Sequence, residues 1–183
     1  MKKFVFDAKT LSLMAILIAV TAALTLAIRI PFAPTRGYIS LADVGVVFAG
    51  LALGPLAGFV AGGIGTGLAD AIGGYPQWMI ASLIIHGLQG LAAGLIGHRA
   101  ALPRMILGFL AGAVIMVGGY FLAAAFVFGY GIGPALTESL GNIGQAMAGG
   151  LIGIPLVFAV CKAYPPINDI GRARAWEEQD PGA

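Results

Sequence analysis

Residues 44–69 read VGVVFAGLALGPLAGFVAGGIGTGLA, a stretch without a charged side chain. A membrane-spanning helix needs about 20 apolar residues, so this stretch is long enough for one span. The Gly54–Pro55 pair inside it breaks a helix, because proline has no N–H to donate and its ring clashes with the preceding turn. We therefore expect two short helices, about 41–53 and 55–71, each shorter than a full span.

Outside this stretch, four more segments lack Asp, Glu, Lys and Arg: 10–28, 71–98, 105–137 and 139–161. Together with the split segment they predict an all-α polytopic membrane protein with six transmembrane helices in one bundle. The predicted helices are 8–29, 41–53, 55–71, 77–97, 104–129 and 136–162. The bundle makes up a single domain, 1–163, and residues 164–183 are expected to form a loose cytoplasmic tail.

The composition agrees with a membrane protein. Of the 183 residues 59% are hydrophobic and only 10% are charged, whereas about 25% are charged in an ordinary soluble domain. These values exclude a soluble enzyme, a disordered chain and a nucleic-acid-binding module. The first apolar run is too long for a signal-peptide core, so we interpret it as a span. The single cysteine, Cys161, forbids an intramolecular disulfide.

Lysine and arginine mark the cytoplasmic side of a membrane protein. Eight of the ten cations fall before the first charge-free segment, between the segments 71–98 and 105–137, or after the last segment: Lys2, Lys3, Lys9, Arg99, Arg104, Lys162, Arg172 and Arg174. This distribution predicts that both termini are cytoplasmic and that the protein is a multi-pass protein of the plasma membrane. Both termini on one side require an even number of spans, as the Gly54–Pro55 break provides.

Two helices carry polar side chains at the spacing i, i+4, i+7, which places each set on one helical face. These sets are Ser82, His86 and Gln89 on the fourth helix, and Glu138, Asn142 and Gln145 on the sixth. In lipid such groups must face the bundle interior or a cavity. They make either a structural hydrogen-bond network or an outward-opening pocket for a ligand.

Five aromatic side chains are expected at the level of this pocket: Tyr38, Tyr75, Trp78, Tyr120 and Tyr130. Interfacial Tyr and Trp usually form the membrane belt, but one or two would stack on a planar heteroaromatic ligand. The loop 30–40 is long enough to act as a lid. We expect Asp43 to cap the second helix, and Asp70 to cap a turn or pair with Arg29 or Arg36.

Small residues recur every four positions on the first helix, at Ala15, Ala19 and Ala23. Such a stripe lets another helix approach closely, either inside the bundle or in a partner protein. The glycines of 58–67 suit close packing inside the bundle better.

The sequence lacks the motifs of P-loop ATPases, of serine hydrolases and of zinc proteases. His86 and His98 lie too far apart in the sequence to predict a metal site. We therefore expect a protein that binds a ligand and depends on a partner, not an enzyme. Two alternatives stay open, a solitary ion-coupled transporter or channel and a purely structural membrane subunit.

The sequence resembles the substrate-binding (S) components of energy-coupling factor (ECF) vitamin transporters of the riboflavin or hydroxymethylpyrimidine type. The resemblance covers roughly 8–162 and is carried by five segments in order: GYISLAD (37–43), ALGPLAG (52–58), GIGTGLAD (63–70), GYP (74–76) and IIHGLQGLAAGLI (84–96). It implies six helices, with a vitamin bound near the outer side between the last three helices and the first loop.

The resemblance also implies a complex with a coupling transmembrane subunit and two cytoplasmic ATPases. In the family, alanines on the first helix contact the coupling subunit, and the matching positions here are Ala15, Ala19 and Ala23. Where many relatives have Lys and Glu on the fourth helix, this chain has His86 and Gln89, which suit a neutral heterocycle. Riboflavin, thiamine or its pyrimidine precursor, and pyridoxine forms all remain open as ligands, and no cofactor is expected.

Overall fold

The computed structural model describes residues 8–169. They form the predicted bundle of six α-helices and, in addition, a small β-hairpin that was not predicted. Five of the helices are long and apolar enough to cross a membrane. The fold class predicted from the sequence is therefore confirmed. The elements are α1 (Ala8–Ala27), β1 (Arg29–Phe32), β2 (Gly37–Ser40), α2 (Ala42–Leu53), α3 (Pro55–Gly73), α4 (Met79–Gly97), α5 (Leu102–Leu122) and α6 (Ile132–Ala163).

The chain breaks between α2 and α3 at the predicted Gly54–Pro55 pair. Gly54 has a φ of 103°, a conformation that favours glycine, and Pro55 is the first residue of α3. The 12 residues of α2 rise only about 18 Å, against about 30 Å of hydrocarbon. The expectation that α3 is also too short is wrong, because its 19 residues reach Gly73 and make it a candidate span.

The expected loop 30–40 is a two-stranded antiparallel hairpin in which Arg29 pairs with Ser40 and Phe32 with Gly37. A short 3-10 turn, Ala33–Thr35, joins the strands. Arg36 closes the turn in the left-handed conformation, with a φ of 52°. The hairpin leads directly into α2, so its position is tied to the start of that helix.

Glycines let α3 and α4 pack with their backbones in contact. A Cβ placed at Gly62 would lie 2.6 Å from the carbonyl oxygen of His86, and one at Gly63 would lie 2.5 Å from that of Leu83. Gly58 and Gly90 face each other in the same way. Because the two backbones are in contact, the position of the polar face of α4 relative to α3 is fixed.

The predicted tail begins at residue 164. Its described part includes a short 3-10 turn, Pro165–Asp169, whose Ile167 is buried in the core together with Leu51 and Val157. The remainder of the tail, 170–183, and the lysines at positions 2 and 3 lie outside the described residues. The orientation of the bundle across the membrane stays a prediction from the charge pattern.

Candidate functional site

A cavity lies at the end of the bundle that carries the hairpin and the turn before α4. In this conformation its free volume is about 20 Å³, room for about one water molecule. It is lined by residues of α1, the hairpin, α3, the turn before α4, and α4, α5 and α6: Thr25, Gly37, Tyr38, Ser40, Asp70, Trp78, Ser82, His86, Tyr120, Glu138, Asn142 and Gln145. The charge pattern predicts that this end faces outside.

The two predicted polar faces converge on this cavity. Seven of the nine side chains that we predicted to bind a ligand line it: Tyr38, Trp78, Ser82, His86, Glu138, Asn142 and Gln145. Gln89 is buried behind the cavity, where its Oε1 lies 2.7 Å from Nδ1 of His86. Tyr75 does not line the cavity but packs on Tyr38, with 4.5 Å between the ring centroids. Both residues thus contact a lining side chain.

A buried carboxylate joins the two polar faces. Oδ1 of Asp43 accepts a hydrogen bond from Nε2 of Gln145 at 3.2 Å and lies 3.4 Å from Nδ1 of His86. Gln145 in turn accepts from the backbone N–H of Ser40 at 2.6 Å. The chain of contacts therefore runs from the hairpin through α6 and α2 to α4.

The expected role of Asp43 as a helix cap is wrong. Leu41 is the N-cap residue of α2, and the hydroxyl of Ser40, not Asp43, accepts a hydrogen bond from the N–H of Ala42 at 3.1 Å. Asp43 lies in the first turn with a fully buried side chain. A carboxylate buried at this depth needs hydrogen-bond donors, which Gln145 supplies and a protonated His86 nitrogen would supply. No pattern within α2 reveals this, because both contacts come from distant helices.

The expected pairing of Asp70 with an arginine is also wrong. Oδ1 of Asp70 accepts a hydrogen bond from the hydroxyl of Tyr38, while the guanidinium of Arg29 donates to the carbonyl oxygen of Gly73 at 2.7 Å. Asp70 itself lines the cavity. Burial, together with the nearby carboxyl of Asp70, raises the pKa of the Tyr38 phenol above its ordinary range. Tyr38 therefore stays a donor at neutral pH.

The structure adds an aromatic wall that the polar pattern alone did not assign to the site. The hydroxyls of Tyr120 and Ser82 are hydrogen-bonded at 2.6 Å. The Tyr120 ring lies 5.5 Å from the His86 ring and 5.6 Å from the Trp78 ring, measured between centroids. Tyr120 was one of five aromatic residues expected at the level of the pocket, and nothing in the sequence separated those that line the site from those of the membrane belt.

Two backbone contacts hold the tip of the hairpin over the cavity. The carbonyl oxygen of Arg36 accepts from Nε2 of Gln77 at 3.1 Å and from Nε1 of Trp78 at 3.2 Å. Gly37 follows directly, and a Cβ there would lie 2.6 Å from Oε1 of Glu138. The hairpin therefore packs against both α4 and α6.

Three polar atoms of cavity-lining side chains are buried without a hydrogen-bond partner within residues 8–169. They are Oδ2 of Asp70, Oε2 of Glu138 and Nδ2 of Asn142. Buried polar groups are almost always paired, so such atoms indicate a missing partner. Within the same residues no cluster of three His, Cys, Asp or Glu side chains is arranged to hold a metal ion.

The alanine stripe of α1 lies on the exposed side of the helix. Ala15, Ala19 and Ala23 are all exposed, whereas Thr21 and Thr25 on the other side are buried. Thr21 packs against Gly45 and Gly65. A Cβ at Gly45 would lie 2.6 Å from the hydroxyl oxygen of Thr21, and one at Gly65 would lie 2.8 Å from its Cβ. The alanines therefore do not serve as internal packing in the described part of the chain.

Comparison with known proteins agrees with this architecture. The family model of the S component of ECF-type riboflavin transporters matches residues 5–162. The chain belongs to this family. It is a transport protein of the plasma membrane that crosses the bilayer several times, and as an S component it works with an ECF module.

Two relatives support the assignment. The thiamine precursor transporter HmpT of Lactococcus lactis subsp. cremoris is 35% identical over 160 residues, which cover 87% of each chain. An uncharacterised protein of Pyrococcus woesei is 37% identical over 144 residues, 78% of this chain and 95% of the relative. The alignments extend over nearly the whole bundle, so the family resemblance predicted from the sequence is confirmed.

Proposed function

We propose that this S component captures a thiamine precursor, an aminopyrimidine, in the cavity beneath the hairpin and hands it over without chemical change. The observation that carries the proposal is the set of unpaired polar atoms on Asp70, Glu138 and Asn142. The relative named as a thiamine precursor transporter supports the ligand class.

The polar atoms define what a ligand must offer. An ionised carboxylate accepts hydrogen bonds, so Asp70 and Glu138 call for N–H or O–H donors on the ligand. The Asn142 amide nitrogen donates and calls for an acceptor, such as a ring nitrogen. An aminopyrimidine with a hydroxymethyl group carries all of these groups on one small ring.

The aromatic wall favours a single ring over a larger one. The centroid of the Tyr120 ring lies 5.6 Å from that of Trp78 and 5.5 Å from that of His86. The hairpin borders the cavity through Gly37. The three fused rings and the sugar-alcohol chain of riboflavin need far more room than a pyrimidine. A narrow site with many polar groups selects a small polar ligand.

Release of the ligand inside requires an energy source that the chain does not supply. Its sequence has no P-loop motif. We propose that a coupling transmembrane subunit docks on Ala15, Ala19 and Ala23, and that two cytoplasmic ATPases drive the cycle. The exposure of these small side chains supports the docking face, because helices associate closely in lipid through small residues.

Isothermal titration calorimetry of the detergent-purified protein tests the ligand. We expect 4-amino-5-hydroxymethyl-2-methylpyrimidine to bind at least tenfold more tightly than its analogue without the amino group, since each unmade hydrogen bond in a buried site costs about 1–3 kcal/mol. Riboflavin is expected to bind more weakly than either. Tight binding of riboflavin alone would contradict the proposal, and uptake by proteoliposomes that hold only this chain would favour the ion-coupled alternative.

A further inference from the structure

His86 is surrounded on one side by hydrogen-bond acceptors. Its Nδ1 lies 2.7 Å from Oε1 of Gln89 and 3.4 Å from Oδ1 of Asp43. Between two acceptors a ring nitrogen is stable only when it carries a proton, so this geometry places the proton on Nδ1.

Asp43 decides this arrangement more firmly than Gln89 does. An amide can turn over and present its N–H₂ instead of its oxygen, whereas Oδ1 of Asp43 already accepts a hydrogen bond from Gln145 and therefore faces His86 as an acceptor. The Asp43 side chain is also fixed in place, because it is fully buried and receives a hydrogen bond from Gln145. Gly149 of α6 packs directly on its Cβ and leaves no space for it to turn away.

The other ring nitrogen of His86 is left for the cavity. The imidazole lines the cavity, and within the described residues Nε2 has no hydrogen bond. With the proton on Nδ1, a neutral imidazole presents the lone pair of Nε2 as an acceptor. A donor on the ligand, such as an exocyclic amino group, fits this position.

We propose that Asp43, which does not line the cavity, is a positioning residue for ligand selection: it holds the proton of His86 on Nδ1, so that Nε2 accepts a hydrogen bond from an amino group of the ligand. This inference rests on the proposed function for the ligand class only. The position of the proton is a property of the protein without ligand, and it can be measured separately.

Other ionisable groups also face this cavity. The carboxyl groups of Asp70 on α3 and Glu138 on α6 line it, as do the phenols of Tyr38 on the hairpin and Tyr120 on α5. The measurement is made at pH 8, above the ordinary range in which imidazole takes up a second proton.

Two-bond proton–nitrogen NMR of protein labelled with ¹⁵N-histidine distinguishes the tautomers. The chain has two histidines, so the signal that disappears in His86→Asn belongs to His86. We expect a protonated Nδ1 and an unprotonated Nε2 in the unliganded wild-type protein. Asp43→Asn should shift His86 towards the tautomer with the proton on Nε2, and Thr137→Ala, an exposed hydroxyl change on α6, should leave it unchanged.

Binding measurements test whether Asp43 affects the selection of the ligand. Asp43→Asn should weaken binding of the aminopyrimidine about tenfold, the effect of losing one hydrogen bond, and should change binding of the analogue without the amino group much less. A proton on Nε2 of the wild type, or a doubly protonated ring, overturns the inference. So does an Asp43→Asn protein with an unchanged tautomer or an equal loss for both ligands. If Asp43→Asn does not fold, the wild-type spectrum still decides.

The two proposals fail in different ways. If no pyrimidine binds the wild-type protein but Nδ1 of His86 carries the proton, the proposed ligand is wrong and the assignment of the proton stands. If the aminopyrimidine binds tightly while the proton lies on Nε2, the proposed function stands and the role of Asp43 is wrong.

Discussion

The hydroxyl of Tyr38 on the hairpin donates a hydrogen bond to the carboxyl of Asp70 in the last turns of α3. These residues are 32 positions apart in the sequence, and the contact ties the hairpin to the rim of the cavity. The same tyrosine ring packs on Tyr75. The hairpin is thus held by side chains that also border the site.

Tyr38→Phe removes this hydrogen bond and keeps the ring contact with Tyr75. Because the hairpin then loses its hydrogen bond to Asp70, we expect the aminopyrimidine to bind about tenfold more weakly, mainly through faster dissociation. Stopped-flow fluorescence of Trp78, which is 2% exposed in the site, measures the rate. An unchanged dissociation rate would show that the hydrogen bond from Tyr38 to Asp70 does not keep the hairpin over the cavity.

Asn142→Ala removes the unpaired amide that faces the cavity. We expect a loss of about 1–3 kcal/mol in binding free energy, the range for a buried hydrogen bond whose other member stays in place. Titration calorimetry measures it. Thr137→Ala is the matched control, because its exposed hydroxyl donates to the carbonyl oxygen of Gly133 on the same helix and does not line the cavity. Equal affinities of both variants for the ligand would show that the Asn142 side chain does not bind it.

Gly58→Ala tests the backbone contact between α3 and α4. A Cβ there would lie 2.7 Å from the carbonyl carbon of Gly90, and backbone atoms cannot move aside as a flexible side chain can. We expect a destabilisation of about 1–3 kcal/mol, typical of overpacking. The thermal unfolding midpoint in detergent reports it.

Gly118→Ala is the control for this comparison, since a Cβ at Gly118 meets no atom within 4 Å. It lies inside α5, where alanine is more favourable than glycine by about 0.5–1 kcal/mol. We expect its midpoint to rise slightly. If both variants melt alike, the close packing of α3 on α4 does not limit stability.

Ala19→Trp tests the exposed face of α1. A large ring at this position would keep a partner helix at a distance, so we expect copurification with the coupling subunit to fail. Ligand binding should be unchanged, because Ala19 faces away from the cavity. Val114→Trp on the exposed side of α5 is the matched control and should leave assembly intact. Assembly of the Ala19→Trp protein would exclude this face as the interface.

The sequence predicted the number of helices because a helix break and charge-free segments are local features. Gly54–Pro55 stops a helix whatever surrounds it. The polar faces of α4 and α6 were likewise readable, since the i, i+4, i+7 spacing needs only the geometry of one helix. Seven of the predicted side chains consequently line one cavity.

What the sequence did not predict depends on contacts between distant segments. Asp43 and Asp70 looked like helix-end residues, and only the packing of α2 and α3 against α4 and α6 turns their carboxyl groups inward. The hairpin was also missed. Pro31 and Pro34 are typical of a loop, but Pro31 lies in β1 opposite Tyr38 and Pro34 lies in the turn between the strands.

The shortness of α2 has a consequence for the lipid environment. All of its residues except Phe48 are buried, so protein separates this helix from the acyl chains. A change in bilayer thickness makes outer helices tilt to match it, but it acts less directly on an element whose residues, apart from Phe48, are buried in protein. We therefore expect ligand affinity to stay constant in nanodiscs of short-chain and long-chain phospholipids.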